Sequence, residues 1–214
     1  MDEHEIERGR MVADQIRRRG VKDPRVLNAM RRVPRHEFIR GPQQAQAYED
    51  HPVPIGESQT ISQPYMVAVM TEHLRLQGHE RVLEVGTGSG YQTAVLSSLA
   101  KSVFTVERLP RLSARARTTL TFLGYDNVSY RVGDGSQGWP EEGPFDAILV
   151  TAAAPEPPPS LLDQLADPGT LVMPAGPRPV QDLVTVHRKD GADEKKTHFR
   201  CSFVPLIGLE GYPD

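Results

Sequence analysis

A single cysteine, Cys201, leaves no means of building a disulfide framework or a cysteine-rich metal centre. A small buried packing role suits such a lone thiol. No apolar run approaches the roughly 20 residues that a membrane-spanning helix needs. An excess of positive charge is also missing. The formal net charge is -3, and basic residues come in short groups such as Arg17-Arg18-Arg19 and Arg31-Arg32, the usual composition of a solvated helix face. That speaks against a nucleic-acid backbone as the main partner. The histidines, His36 and His51 among them, lack metal-ligand spacing. Met1 is followed by Asp2, Glu3, His4 and Glu5, which no signal peptide carries. A soluble, reducing, cytoplasmic setting is the expectation. Hydrophobic content of 38% against 25% charged is that of a globular chain. The 214 residues suffice for one α/β domain with a substantial core.

What the chain does have is one organising stretch, Val82-Leu83-Glu84-Val85-Gly86-Thr87-Gly88-Ser89-Gly90-Tyr91. A β-type apolar run ends in three alternating glycines, and a helical pattern opens at Tyr91 through Ala94, Val95, Leu96 and Leu99. Strand, tight turn and helix form a nucleotide-binding βα unit. The glycines permit positive φ and let a ligand lie on bare backbone. The dinucleotide fingerprint is G-x-G-x-x-G, whereas the spacing here is G-x-G-x-G with Glu84 two residues upstream. A carboxylate repels a pyrophosphate and favours a sulfonium or ammonium. S-adenosyl-L-methionine carries both cations and no phosphate. A plain strand-to-helix turn is the bland alternative.

Around this stretch the chain divides into residues 1–64, without βα alternation, and 65–214, where it dominates. Asp2 to Arg19 has helical spacing up to Gly20. A second helix starts at Asp23-Pro24, cap then proline, and stops at Pro34. Gly41 to Pro64, with prolines at 42, 52, 54 and 64, reads as a long irregular loop. A helix follows from Pro64 to Gly78. Strands are then expected at Val82–Val85, Ser102–Val106, Val128–Val132, Phe145–Val150 and Gly169–Met173, with helices between, the last at Ser160–Ala166. Two further β runs, Asp182–His187 and Thr197–Val204, flank a charged hairpin loop from Lys189 to Lys196. The pattern predicts a doubly wound, mostly parallel α/β sheet with an antiparallel C-terminal edge. No linker or repeat divides it, so a single domain is expected.

Open α/β sheets bind ligands at strand carboxyl ends beside the switch point. Glu107 lies about 20 residues past the glycine turn, where an acid accepts ribose hydroxyls. Asp134, in Gly133-Asp134-Gly135, can accept from an adenine amino group. Each also has a bland reading, as a solvated strand end or a turn former. Asp146 reads as a structural acid capping a backbone group.

Further motifs are Val33-Pro34-Arg35-His36-Glu37-Phe38, Tyr48 with Asp50, Pro54-Ile55-Gly56, Gln59-Thr60-Ile61-Ser62-Gln63-Pro64-Tyr65-Met66 and Phe203-Val204-Pro205-Leu206. With Val82–Gln92, Glu107, Gly133-Asp134-Gly135 and Phe145-Asp146, they resemble the protein-L-isoaspartate (D-aspartate) O-methyltransferase family over nearly the whole chain. The Gln-Thr-Ile-Ser-Gln-Pro run is the particular element. One departure is Ser58 where the family commonly has glycine. The resemblance implies a seven-stranded Rossmann-like methyltransferase sheet, S-adenosyl-L-methionine as cofactor and S-adenosyl-L-homocysteine as product. It implies methylation of the free α-carboxylate of isoaspartyl residues in damaged proteins, so that a succinimide can form and reopen as aspartate. By resemblance the cofactor residues are Thr60, Ile61, Ser62, Gln63, Glu84, Gly86, Thr87, Gly88, Gly90, Glu107, Asp134 and Gly135. The substrate residues are Ile55, Thr60, Ser62, Val204 and Leu206, with residues 1–64 supplying the helical extension and substrate loop.

The nucleophile, a carboxylate with a pKa near ~4, is already ionised, so no general base is required. Alignment of oxygen, methyl and sulfur is the main task. Ser62 is the catalytic-site candidate: its hydroxyl can steer the carboxylate beside a helix N-terminus that favours anions. Simple N-capping is the alternative role. The partners expected are isoaspartyl proteins and peptides as substrates, with no nucleic acid or membrane, and the enzyme is expected to be a monomer. Three other readings stay open: a small-molecule methyltransferase, a non-catalytic cofactor-binding module, and an NAD oxidoreductase, against which the spacing and Glu84 argue.

Overall fold

A computed structural model describes residues 3–213 of the protein. Its first helix, α1 (Glu3–Arg10), runs on through a π-helical stretch, Met11–Ile16, and a 3-10 turn, Arg17–Arg19. Asp2, expected in this helix, lies outside the described residues. Gly20, at φ 103°, terminates it. In α2 (Pro24–Arg32), the Asp23 side chain caps by accepting from the Arg25 amide at 2.8 Å.

Gly41 to Pro64 holds more regular structure than its prolines imply. A 3-10 stretch, Gly41–Gln46, precedes an antiparallel hairpin of β1 (Val53–Gly56) and β2 (Gln59–Ile61). Both strands of a two-stranded ribbon are edges, so Pro54 is tolerated there. The turn residues Glu57 and Ser58 sit at φ 52° and 57°, as a two-residue hairpin turn of the primed type requires. Next comes α3 (Pro64–Leu74), with Gln63 at its N-cap.

The core follows the expected strand order, except that two 3-10 turns, Gly135–Gln137 and Pro140–Glu142, stand where a helix would join the third and fourth strands: β3 (Arg81–Val85), α4 (Tyr91–Ser97), β4 (Ser102–Glu107), α5 (Pro110–Phe122), β5 (Val128–Val132), β6 (Phe145–Val150), α6 (Pro159–Asp163), β7 (Leu165–Ala175), β8 (Gln181–Lys189) and β9 (Ala192–Cys201). They form one seven-stranded sheet in the order β5-β4-β3-β6-β7-β8-β9. Strands β3 to β7 are mutually parallel, and β8 and β9 close the edge antiparallel. Asp146 caps as expected, its carboxylate accepting from the Arg81 amide at 2.8 Å.

Two local expectations are corrected. The helix after the proline-rich turn stops at Asp163, because Leu165 already pairs with Phe145 of β6. The stretch from Lys189 to Lys196 is not a loop: only Asp190 and Gly191 turn, at φ 54° and 74°, and Ala192–Lys196 pairs with β8. Charged residues on an exposed edge strand have loop-like composition but still share a ladder.

The N-terminal helices share a hydrophobic cluster with α3, α4 and α5, with Met11, Ile16 and Met30 packed in the same body as Leu96 and Leu120. Leu83, Val85, Ile148 and Met173 belong to a second cluster. Strand alternation sends successive side chains of β3 to opposite faces. From β3 the chain winds one way to β4 and β5, then returns to place β6 on the other side. This reversal opens a crevice at the strands' carboxyl ends.

Candidate functional site

The crevice is walled by the ends of β3, β4 and β6, by β2 with Ser62, and by Phe203–Ile207 from the C-terminal segment. Its floor is the glycine turn. Gly86 and Gly88 take φ 94° and 54°, values that suit glycine. The Gly86 amide donates to Val106 O and the Gly90 amide to Thr87 O, both at 2.8 Å. A Cβ on Gly86 would lie 2.4 Å from Thr151 Oγ1, so glycine is required for closure. A Cβ on Gly88 would meet nothing nearer than Ile55 Cδ1 at 3.8 Å. The turn therefore presents bare backbone.

Ten of the predicted residues line this one space: Thr60, Ile61, Ser62, Gly86, Thr87, Gly88, Glu107, Gly135, Val204 and Leu206. Glu107 is fixed by the Gly88 and Leu109 amides, each donating to its carboxylate at 2.9 Å. Val204 and Leu206 are held by the chain beyond β6: the Ala153 amide donates to Val204 O at 2.8 Å, and the Leu206 amide to Ala153 O at 2.7 Å. The Ser62 hydroxyl makes no hydrogen bond among the described residues. Gln63 occupies the cap position without a side-chain cap bond, so N-capping is not what Ser62 does.

Five predicted residues do not reach the wall. Glu84 is fully buried beneath it, because strand alternation turns its side chain away. Its Oε2 accepts from Thr93 Oγ1 at 2.5 Å and Thr105 Oγ1 at 2.7 Å. Thr105 in turn lies 2.6 Å from Thr87 Oγ1, so Glu84 touches the crevice only through threonines. Its Oε1 is buried without a partner, and burial pushes its pKa up to about 8. Gly90 serves packing: a Cβ there would press on Ala116 Cβ at 3.1 Å and Leu120 Cδ1 at 3.2 Å, so the third glycine lets α4 approach α5. Asp134 caps its own turn. It accepts from the Ser136 amide at 2.9 Å and hydroxyl at 2.7 Å, and from the Leu209 amide at 2.7 Å. Burial pushes its pKa up, but these donors outweigh that and hold it below the usual value. Gln63 turns outward, donating to Asp50 Oδ1 at 2.8 Å. Ile55 is buried in the hairpin over Gly88.

The sequence reading missed Leu109, Thr151, Ala152, Tyr91 and Ile207 on the wall. Thr151 and Ala152 follow β6, so the strand-end rule that selected Glu107 could have found them. Ile207 carries no local signal.

Chemically, the crevice joins bare glycine backbone, one acceptor carboxylate and apolar walls from Val85, Val106 and Leu206. The buried Glu84 with its unpartnered oxygen lies below. An adenosine and a cation fit these groups, and S-adenosyl-L-methionine combines both.

Comparison with known proteins agrees. The family model described as protein-L-isoaspartate(D-aspartate) O-methyltransferase (PCMT) matches residues 7–211. A protein-L-isoaspartate O-methyltransferase of Syntrophus aciditrophicus (strain SB) is 55% identical over 99% of both chains. One of Methanoculleus marisnigri is 55% identical over 96% of this chain and 94% of its own. A solved Plasmodium falciparum structure, described as a protein-L-isoaspartate O-methyltransferase in complex with S-adenosyl-L-homocysteine, superposes with a TM-score of 0.80. Its identity is 29%, over 97% of this chain and 99% of that one.

Proposed function

The chain belongs to the protein-L-isoaspartate(D-aspartate) O-methyltransferase family, and from that premise we propose how its residues carry the reaction. It is an S-adenosyl-L-methionine-dependent enzyme that methylates isoaspartyl residues of proteins. The observation that carries the residue roles is the Ser62 hydroxyl, without a partner, in one crevice with the glycine turn and Glu107.

When bound, S-adenosyl-L-methionine supplies an electrophilic methyl group on a sulfonium sulfur. Gly86, Thr87, Gly88 and Gly135 give the cofactor a close-fitting backbone surface, and Glu107 accepts from its ribose hydroxyls. Glu84 contributes from beneath, through Thr105 and Thr87. Thr60 and Ile61 close the junction between cofactor and peptide. Ser62 donates its hydroxyl hydrogen to the incoming α-carboxylate and sets its angle of approach, while the N-terminus of α3 favours the anion. Val204 and Leu206 hold the peptide backbone in an extended form. No proton needs to be removed from a carboxylate whose pKa is near ~4, so orientation supplies the rate.

The finer readings are part of the same proposal: a monomeric cytoplasmic enzyme with no nucleic-acid partner. The test is incubation with methyl-labelled cofactor and two peptides that differ only in Asp against isoAsp. Base-labile label in the isoAsp peptide alone is the expected result. Equal label in both peptides would refute the substrate assignment.

A further inference from the structure

Arg35 has no place on the crevice wall, yet it is among the largest fully buried side chains in the molecule. Its Nε donates to Ala47 O at 2.7 Å and its Nη2 to Ser62 O at 2.8 Å. Its Nη1 is buried with no hydrogen-bond partner among the described residues. The guanidinium lies 4.7 Å from the centroid of the Tyr91 ring, within cation–π range. No carboxylate pairs with it among the described residues. Burial pulls its pKa down to about 10, which still leaves it cationic at neutral pH.

A buried cation satisfied by two carbonyls and a ring is a poor device for stability. Guanidinium can donate five hydrogen bonds, and the two to carbonyls here only partly offset the cost of taking the charge out of water. Its connections are more informative. Ala47 and Ser62 both belong to the stretch from Gly41 to Pro64, one before and one after the β1–β2 hairpin, and Tyr91 is the first residue of α4 and part of the crevice wall. One rigid fork therefore joins the backbone of Ser62 to the helix that follows the cofactor turn. The carbonyl it grips belongs to the residue whose hydroxyl is unpartnered.

We propose that Arg35 is a positioning residue for methyl transfer, clamping the Ser62 backbone against Tyr91 so that the Ser62 hydroxyl meets the peptide carboxylate at a fixed distance from the cofactor turn. The inference rests on the role given to Ser62 above. Arg35 acts through Ser62 and touches neither reactant. Lysine cannot replace it fully, since one ammonium cannot hold both carbonyls in the geometry of a planar fork.

The test is a double-substitution cycle with Arg35→Met, Arg35→Lys, Ser62→Ala and the two combinations with Ser62→Ala. Thermal unfolding, S-adenosyl-L-homocysteine affinity by calorimetry, and kcat and KM for an isoaspartyl peptide are measured on each. Arg35→Met leaves the Ala47 and Ser62 carbonyls without their donors, so it is expected to melt a few degrees below the parent but to bind S-adenosyl-L-homocysteine within about twofold. Its kcat is expected to fall about 10- to 100-fold, the effect of an ångström-scale misplacement, with a smaller change in KM. Arg35→Lys should recover part of the loss. In the Ser62→Ala background either Arg35 substitution should cost less than about threefold, since the hydroxyl it positions is gone. Unchanged kcat in Arg35→Met, or a loss fully additive with Ser62→Ala, overturns the proposal. If Arg35→Met does not fold, Arg35→Lys and its combination decide by the same additivity criterion. A Ser62→Ala enzyme with parental kcat overturns the Ser62 role itself, an outcome distinct from failure at Arg35.

Discussion

A carboxyl group shut away from water, with another carboxylate as the charge acting on it, holds its proton, and Glu84 is such a group beside Glu107. The linkage sign follows. Glu84 in the folded protein binds a proton up to about pH 8, whereas an unfolded glutamate loses it near 4.3. The folded state thus binds more protons between those values, and stability falls as pH rises through that window. Glu84→Gln, which imitates the neutral acid, should flatten the fall, measurable as a denaturation midpoint that changes less between pH 5 and 8. At Glu107 the expectation concerns affinity. Loss of a hydrogen bond to a charged group is worth about 1.5–3 kcal/mol, so Glu107→Ala should weaken S-adenosyl-L-homocysteine binding roughly 10- to 100-fold. Calorimetric titration checks this, and an unchanged affinity would remove Glu107 from the cofactor site. Both residues were legible in the sequence as acids near a glycine turn. Their difference was not, because it depends on which face of a buried strand each occupies.

At the scale of elements, the contact between α3 and β9 carries its own pH response. His73 lies against His198 with ring centroids 4.0 Å apart and planes tilted by 35°. Burial, then His198, then Arg75 and Lys196 draw the His73 pKa down to about 4, with Glu72 opposing. His198 is lowered too, by burial, Lys196 and His187. The unfolded chain takes up protons near 6.5, so this contact loses stability as pH falls from there toward 4. His73→Phe keeps an aromatic partner and should flatten that acid limb in a melting-temperature series. In the β1–β2 hairpin, Ser58 holds φ 57° without being glycine. A left-handed conformation costs a non-glycine residue about 1–2 kcal/mol, partly offset by glycine's greater unfolded entropy, about 0.4–1 kcal/mol. Ser58→Gly should therefore raise stability by up to about 1.6 kcal/mol, read from the denaturant midpoint at unchanged slope. The hairpin was hidden in the sequence by its prolines. Pairing with one neighbour only makes them harmless, and composition does not show who the neighbour is.

For the whole molecule, the N-terminal helices and the sheet helices contribute to one hydrophobic cluster. We take the chain to fold as one domain. A single thermal transition, coincident by far-UV and near-UV signals, is expected, and two separated transitions would show that residues 1–64 form their own unit. The sequence by itself determined the order of strands and most of the helices, the glycine turn and the strand-end acid Glu107. These follow from short-range physics: side-chain period, φ restrictions and capping act within a few residues of chain. Only the tertiary structure decided that Asp134 fastens the C-terminal segment through Leu209, that Glu84 lies below the crevice, and that Arg35 grips Ser62 across 27 positions. Those outcomes depend on which distant groups compete for the same hydrogen bonds and the same buried space, and that competition exists only once the chain has closed on itself.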